Sequence, residues 1–418
     1  MECREQLYFD RVHPIVPMLD RSRYFAWSRN SETNEHQTTL QYAMWTLTMA
    51  LSSQLDHMRD MLYMETRRKL EHSDHCQKDT GTIYIEEVQA WILIAYYEFL
   101  RCNYRRGWLS AGRIFRLIQL LRLHEIDRPR ASVEPIAEDA RVMEEKRRTF
   151  WVAYCLDRLV SLSNGFPLTL NEETICTLMP ASESELSTTS SAQVCFLAEA
   201  MNNQGMNSLS PLAVCATMIT TYGRALSHKQ VSTFEQTYAD HFSDFWMRHE
   251  WIDSVLTQMI ESFSQNHPFV SVSDDPLTIF NFMITQATII SLCKAIEQLD
   301  EVQQQISIHN EYQARALHAA REIARLSRDI GFFKVSTHTI IAAGSHDTDY
   351  TRLILSCPSR FSSGLNGCFY IVASASTPSK EKQYNRETSL WNQISRPVWE
   401  LCVACRRSTI LLNFICNS

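Results

Sequence analysis

Glycine and proline are scarce in this chain, with 10 and 12 residues among 418. Sheet-rich folds place these residues in the tight turns between strands, so their scarcity argues against such a fold and against low-complexity sequence. Basic excess is missing too: the net charge is −7 and the pI about 6.1. Phosphate contacts need a basic face, so this balance counts against a chain that binds nucleic acid over its whole surface and leaves room only for a local patch. No apolar run approaches the roughly 18–20 residues that span a bilayer. The opening, with Glu2, Arg4 and Glu5 ahead of any apolar stretch, is not a secretory signal. No membrane role is expected.

Motifs that carry chemistry are also missing. The sequence holds no G-x-S-x-G elbow, no phosphate-binding G-x-x-x-x-G-K-[ST] loop, no G-x-G-x-x-G after a strand and no HExxH. An aspartate-rich magnesium motif of the DDxxD type would start at Asp274-Asp275, but its fifth position is Thr278, and Pro276 makes the segment a helix start. The 13 cysteines are scattered, and Cys102, Cys155, Cys195, Cys215 and Cys293 sit in apolar helical patterns. They read as small buried hydrophobes in a reducing compartment. Cys402 and Cys405 form a C-x2-C pair, but a binuclear zinc cluster repeats C-x2-C-x6-C, and position 412 is Leu412. No catalytic, cofactor-binding or metal-ligating residue is therefore assigned.

What the chain does have is helical periodicity. Leu40, Met44, Leu47, Leu51, Leu55 and Met58 predict one helix over 37–64, followed by a polar loop from Arg67 to Thr80. Apolar helices are expected over 83–100 and 107–123. In the second, Arg113, Arg116, Gln119 and Arg122 form a polar stripe opposite Ile114, Leu117, Ile118 and Leu121. That stripe suits a solvated face better than a nucleic-acid contact, and His124 suits a C-terminal cap. Ala181 to Ser191 reads as an exposed loop rich in phosphorylatable residues. Further helices are expected over 211–226 and 234–263, then from an Asp275 N-cap onward, and over 311–330 with Gly331 as its cap. From Val335 the period is lost. Val335-Ser336 is encodable by a splice-donor sequence, so translated intron is one expectation there and a divergent tail the other.

The centre of the chain is Glu144 to Pro180. Phe150 to Leu162 is apolar on every side except for Asp157 and Arg158, so it belongs inside a domain. Adjacent residues on a helix do not face each other, so each of these charges is expected to find a partner on another helix. Asn164-Gly165 and Pro167 end the helix, and Asn171-Glu172-Glu173 starts a short one that Pro180 closes.

This stretch resembles the signature of the fungal-specific transcription factor domain, the middle homology region of Zn2Cys6 binuclear-cluster regulators. Arg147, Arg148, Phe150, Trp151, Leu156, Asp157, Arg158, Gly165 and Pro167 fall at the family's most recognisable positions. His13-Pro14-Ile15-Val16-Pro17 is similar to its HPxxP opening. The block from Val88-Gln89-Ala90 through Trp108, Gly112, Arg113, Leu121 and His124 is similar to its next conserved run. The resemblance implies an all-α protein, a single large multi-helix domain over 1–334 with an irregular C-terminal tail over 335–418. It also implies that Arg147, Arg148, Phe150, Trp151, Asp157, Arg158, Gly165 and Pro167 are structural. By the same resemblance the chain is a transcriptional regulator or co-regulator in a fungal nucleus. It would reach DNA indirectly, through a DNA-binding transcription factor or a homodimer, with a small-molecule effector in some members and secondary-metabolite genes as targets. A truncated zinc-cluster transcription factor, and a helical enzyme or ligand-binding protein of secondary metabolism, are the alternatives.

Overall fold

A computed structural model describes residues 2–29, 33–51, 56–76, 83–129, 139–164, 166–182, 195–202, 209–238, 243–266, 275–297, 306–332, 342–343 and 353–354. The described chain is all-α apart from two paired two-residue strands, Ala342–Ala343 and Leu353–Ile354. The rest of the expected tail, with Cys402 and Cys405, lies outside the described residues.

The helices are α1 (Glu2–Arg11), α2 (Arg21–Ser28), α3 (Glu35–Ala50), α4 (Asp56–Cys76), α5 (Ile85–Leu100), α6 (Tyr104–Leu120), α7 (Ala140–Asn164), α8 (Leu197–Met201), α9 (Pro211–Tyr238), α10 (Ser243–Asn266), α11 (Pro276–Glu297) and α12 (Ile306–Phe332). Their starts follow local chemistry. Asp20 accepts a hydrogen bond from Arg23 N at 2.7 Å to open α2. Asn34 and Gln37 exchange side-chain and backbone bonds at 2.7 and 3.2 Å, a capping box that opens α3. Asp275 accepts from Leu277 N and Thr278 N at 3.1 and 3.2 Å, as expected of an N-cap with proline at the first helical position.

The first six helices form one half, in which α5 packs between α3 and α6, and α1 and α4 lie on α3. In the other half α11 packs between α9 and α12, with α10 against α9. α7 joins the halves, touching α5 and α6 on one side and α9 on the other. One apolar cluster runs through all of this, from Tyr8 in α1 past Trp91, Phe150 and Trp151 to Leu326 in α12.

Several expectations need correction. The apolar period over 37–64 is two helices. Leu51 N–H closes α3 on Leu47, and α4 then returns so that Leu62 and Met58 pack against Trp45 and Met49. A helical hairpin keeps three- and four-residue spacing on both arms, so spacing alone does not reveal the break. The polar stretch from Arg67 is helical as far as Cys76, because its charges pair along the helix: Arg68 with Glu65 at 2.6 Å and Arg67 with Glu71 at 2.7 Å. Residues 227–238 continue α9, and α10 begins only at Ser243. α12 runs through Gly331 to Phe332, so that glycine does not end it. Cys155, Cys215 and Cys293 are buried, whereas Cys102 and Cys195 are only partly so. Finally, Pro276–Ile296 is long and apolar enough to cross a membrane, yet 78% of that window is buried inside the fold, where a soluble core helix also meets the test.

Two glycines of α6 provide opposed tests of this packing. A Cβ on Gly107 would lie 2.9 Å from the Phe99 ring, whereas a Cβ on Gly112 would meet nothing within 4 Å. Replacing a helical glycine by alanine gains about 1 kcal/mol in propensity, but overpacking a buried ring costs about 1–3 kcal/mol. Gly112→Ala is therefore expected to raise the denaturant midpoint and Gly107→Ala to lower it, measured by helical circular dichroism.

Candidate functional site: a charged clamp around α7

Beyond α7 the chain runs back as a strap, residues 166–182, without regular structure except for a 3-10 turn at Glu172–Thr174 that Asn171 caps, and bent at Thr169–Leu170. A strap with no sheet beside it must satisfy its backbone groups in another way. Here side chains take that role. Asp157 accepts from Thr169 N at 3.1 Å and from Leu170 N at 2.8 Å. Asp127, just before Pro129, accepts from Leu178 N at 2.9 Å, and Glu144 accepts from Ala181 N at 2.9 Å. In return, Trp151 Nε1 donates to Leu178 O at 2.7 Å and Arg148 Nη2 to Ala181 O at 3.1 Å. Backbone bonds from Cys176 N to His124 O (2.7 Å) and from Asp127 N to Cys176 O (2.9 Å) fasten the strap to the turn after α6.

Guanidinium groups balance the carboxylates. Arg147 grips Asp127 with two bonds of 3.0 and 2.5 Å. Arg148 reaches Glu144 at 3.1 Å. Arg23 of α2 reaches Glu145 at 2.9 Å, and Gln89 Nε2 donates to the same carboxylate at 2.9 Å. The glutamine of the Val88-Gln89-Ala90 run is thus a link between α5 and α7.

Asp157 and Arg158, 0% and 1% exposed, answer the question of the buried charges differently from expectation. They bond each other at 3.1 Å, and Asp157 also accepts from backbone amides of the strap rather than from side chains of a second helix. The rule that adjacent residues diverge describes their Cβ directions. Arginine carries its charge far beyond Cβ, and this one folds across the Tyr154 ring, 3.4 Å from its centroid, to reach the preceding carboxylate.

The other signature positions divide. Phe150 and Trp151 are fully buried and meet edge to face at 5.0 Å. Pro167 is exposed, and its carbonyl accepts from Ser161 Oγ at 3.3 Å. Gly165 lies outside the described residues; Phe166 N donates to Ser161 O at 3.0 Å. His124 belongs to a separate 3-10 turn, Leu123–Glu125, and contributes its carbonyl to the strap. In that turn Arg122 pairs with Glu125.

Burial raises the pKa values of Glu144, Glu145 and Asp157 above their ordinary values, while the neighbouring arginines pull against it. Among the described residues no three His, Cys, Asp or Glu side chains gather to hold a metal ion. Sequence reasoning missed Asp127, whose position before Pro129 carries no periodic signal. It also missed His228 and His249, which stack around Phe245 with their pKa values lowered by burial to about 4. Both imidazoles are therefore neutral at pH 7.

Such a chain is a helical scaffold whose interior charges hold its own backbone in place. It belongs to the family described as the fungal specific transcription factor domain, which it matches over residues 6–251. That span contains the His13–Pro17, Val88–His124 and Glu144–Pro180 segments that carried the resemblance. It is 40% identical over 340 residues to the pigment biosynthesis transcriptional activator pigB of Monascus ruber, covering 79% of this chain and 61% of that protein. It is 41% identical over 333 residues to the citrinin biosynthesis transcriptional activator mrl3 of the same fungus, covering 79% and 65%. With the azaphilone cluster-specific transcription factor azaR of Aspergillus niger it shares 41% identity over 339 residues, covering 80% and 72%. The matched part thus spans less than two thirds of pigB and mrl3. No solved structure matches the chain.

Two measurements probe the clamp. Asp157→Asn leaves the Arg158 guanidinium without its carboxylate and turns an amide toward backbone donors, so a loss of about 3–5 kcal/mol in unfolding free energy is expected by denaturant titration. Glu145→Gln tests the charge by its pH dependence. A glutamate whose pKa is raised on folding takes up a proton more readily when native, so its stabilising contribution falls as pH climbs above the ordinary value of 4.5. The melting temperature of the variant minus that of wild type should become more positive between pH 5 and pH 7.

Proposed function

We propose that this chain is the regulatory part of a transcriptional regulator that acts in a fungal nucleus on the genes of a secondary-metabolite cluster. The observation that carries this reading is the pair of matches to named biosynthetic activators at about 40% identity over 79% of the chain, supported by the family match over 6–251. In this reading Arg147, Arg148, Phe150, Trp151, Asp157, Arg158, Gly165 and Pro167 are frame residues that set the shape of the helical body. The body itself presents its surface to a DNA-binding partner. The net charge of −7 and the lack of a C-x2-C-x6-C repeat in these 418 residues support a DNA contact made by another segment or another chain.

Deletion of the gene in its host, followed by transcript profiling, tests the proposal. Coordinate loss of one contiguous group of biosynthetic transcripts is expected, restored by the wild-type gene. Tagged protein should crosslink to the promoters of that group only when its DNA-binding partner is present. Unchanged biosynthetic transcripts after deletion would overturn the reading.

A further inference from the structure

Two thiols meet where the halves of the fold are joined. Cys155 lies on α7 and Cys215 on α9, 60 residues apart in sequence, and their Sγ atoms are 3.9 Å apart. Both are free, and they are 4% and 2% exposed. Neighbouring contacts fix the seam between the two helices. Beside Cys155, the Tyr154 hydroxyl shares a hydrogen bond of 2.8 Å with Thr220 of α9. Further along α9, Gly223 brings the backbone so near α7 that a Cβ there would lie 3.4 Å from Arg158 Cγ. The sulfurs are thus held in contact by the packing around them.

Packing alone does not account for the pairing. A thiol is a weak donor and a weak acceptor, so the contact adds little that two small aliphatic side chains would not supply. What two thiols can add is a covalent bond. A disulfide holds its sulfurs about 2.05 Å apart, so this pair must close by about 1.9 Å, a distance within reach of rotation about the two Cα–Cβ bonds.

We propose that Cys155 and Cys215 are a site of oxidative modification, which hydrogen peroxide converts into a disulfide that locks α7 to α9. The thiolate of one cysteine attacks a peroxide oxygen and breaks the O–O bond, giving a sulfenic acid and, with the thiol proton, one water. The second thiol attacks the sulfenic sulfur. The S–S bond forms, and the sulfenic hydroxyl leaves with the second thiol proton as another water. Two electrons pass from the sulfurs to the peroxide. Burial sets when this happens. Contact with Cys155 and enclosure in the core raise the Cys215 thiol well above its ordinary value, and the thiolate is the form that reacts. Oxidation therefore waits for the α7–α9 seam to open. Reclosure returns the second sulfur to contact distance, so the sulfenic acid is captured before it is oxidised further. The bond then fastens α7 to the half built on α9 and α11, and it constrains the unfolded chain across 60 residues. This site goes beyond the regulatory role proposed above and does not rest on it: one is read from the protein's own peptides, the other from transcripts.

Treatment of the reduced full chain with hydrogen peroxide, followed by alkylation and mass spectrometry of unreduced peptides, provides the test. A peptide pair joined through Cys155 and Cys215 is expected as the main bridged product, and dithiothreitol should release it. The bridged protein should show a higher denaturant midpoint than the reduced one, and dithiothreitol should return it to the reduced value. Cys155→Ala and Cys215→Ala should each lose both the bridge and the shift, while Cys195→Ala, at a partly buried cysteine, keeps both. The wild-type peptide map decides the matter even where an alanine variant fails to fold. Three outcomes would overturn the proposal: oxidation of Cys102 and Cys195 with Cys155 and Cys215 left as thiols, a mixture of bridges with no preference for this pair, or a bridged protein whose midpoint equals that of the reduced one.

Discussion

An extended segment inside a helical protein has an unsolved problem in its own backbone. Helices satisfy their amides internally, but among the described residues the 166–182 strap has no neighbouring strand to pair with. Its amides at Thr169, Leu170, Leu178 and Ala181 are instead received by Asp157, Asp127 and Glu144. Leaving a buried amide unmet costs about 1–3 kcal/mol, which is the penalty these carboxylates remove. Each carboxylate then needs a cation, and the arginines follow from that: Arg158, Arg147 and Arg148 in turn. The signature residues of this region thus answer one constraint, the placing of an extended chain against a helix without a sheet.

This order of causes explains why charges are conspicuous in so apolar a helix. Replacing a buried ion pair by hydrophobic residues is often neutral or stabilising, so stability alone would not place Asp157 and Arg158 where they are. Aliphatic side chains, however, cannot accept a backbone hydrogen bond. The same logic reaches beyond the strap. Glu145 uses Arg23 and Gln89 to bring α2 and α5 to α7, so the central helix is tied by polar contacts to parts of the chain far from it in sequence.

How much of this was legible in the sequence depended on the range of the interaction. α5, the inward face of α6, and the Asp275 cap could be read because each is set within a few residues by period or by a local side-chain bond. The all-round apolar character of Phe150–Leu162 correctly placed α7 at the centre of the fold. Breaks inside a continuing apolar period, after Leu51 and after Tyr238, were invisible because a hairpin of helices repeats the spacing of a single one. Polarity misled at Arg67–Cys76, where ion pairs along the helix make a charged stretch a stable one. Least legible were the strap's partners. Asp127 and Leu178 are 51 residues apart, and no pattern in the chain links them.

The strap also measures itself against α7. Its anchors run antiparallel to the helix, from Asp157 holding Leu170, through Trp151 holding Leu178, to Glu144 holding Ala181. At 1.5 Å per residue the helix covers about 20 Å between Asp157 and Glu144. Fully extended, the strap between Leu170 and Ala181 would reach nearly twice as far, about 36 Å. The surplus chain lies between the anchors at Leu170 and Leu178, the stretch that includes the 3-10 turn at Glu172–Thr174. Insertions and deletions in relatives should therefore collect at that turn, while the spacing from Cys176 to Ala181 stays constant, since it is there that the helix acts as a ruler.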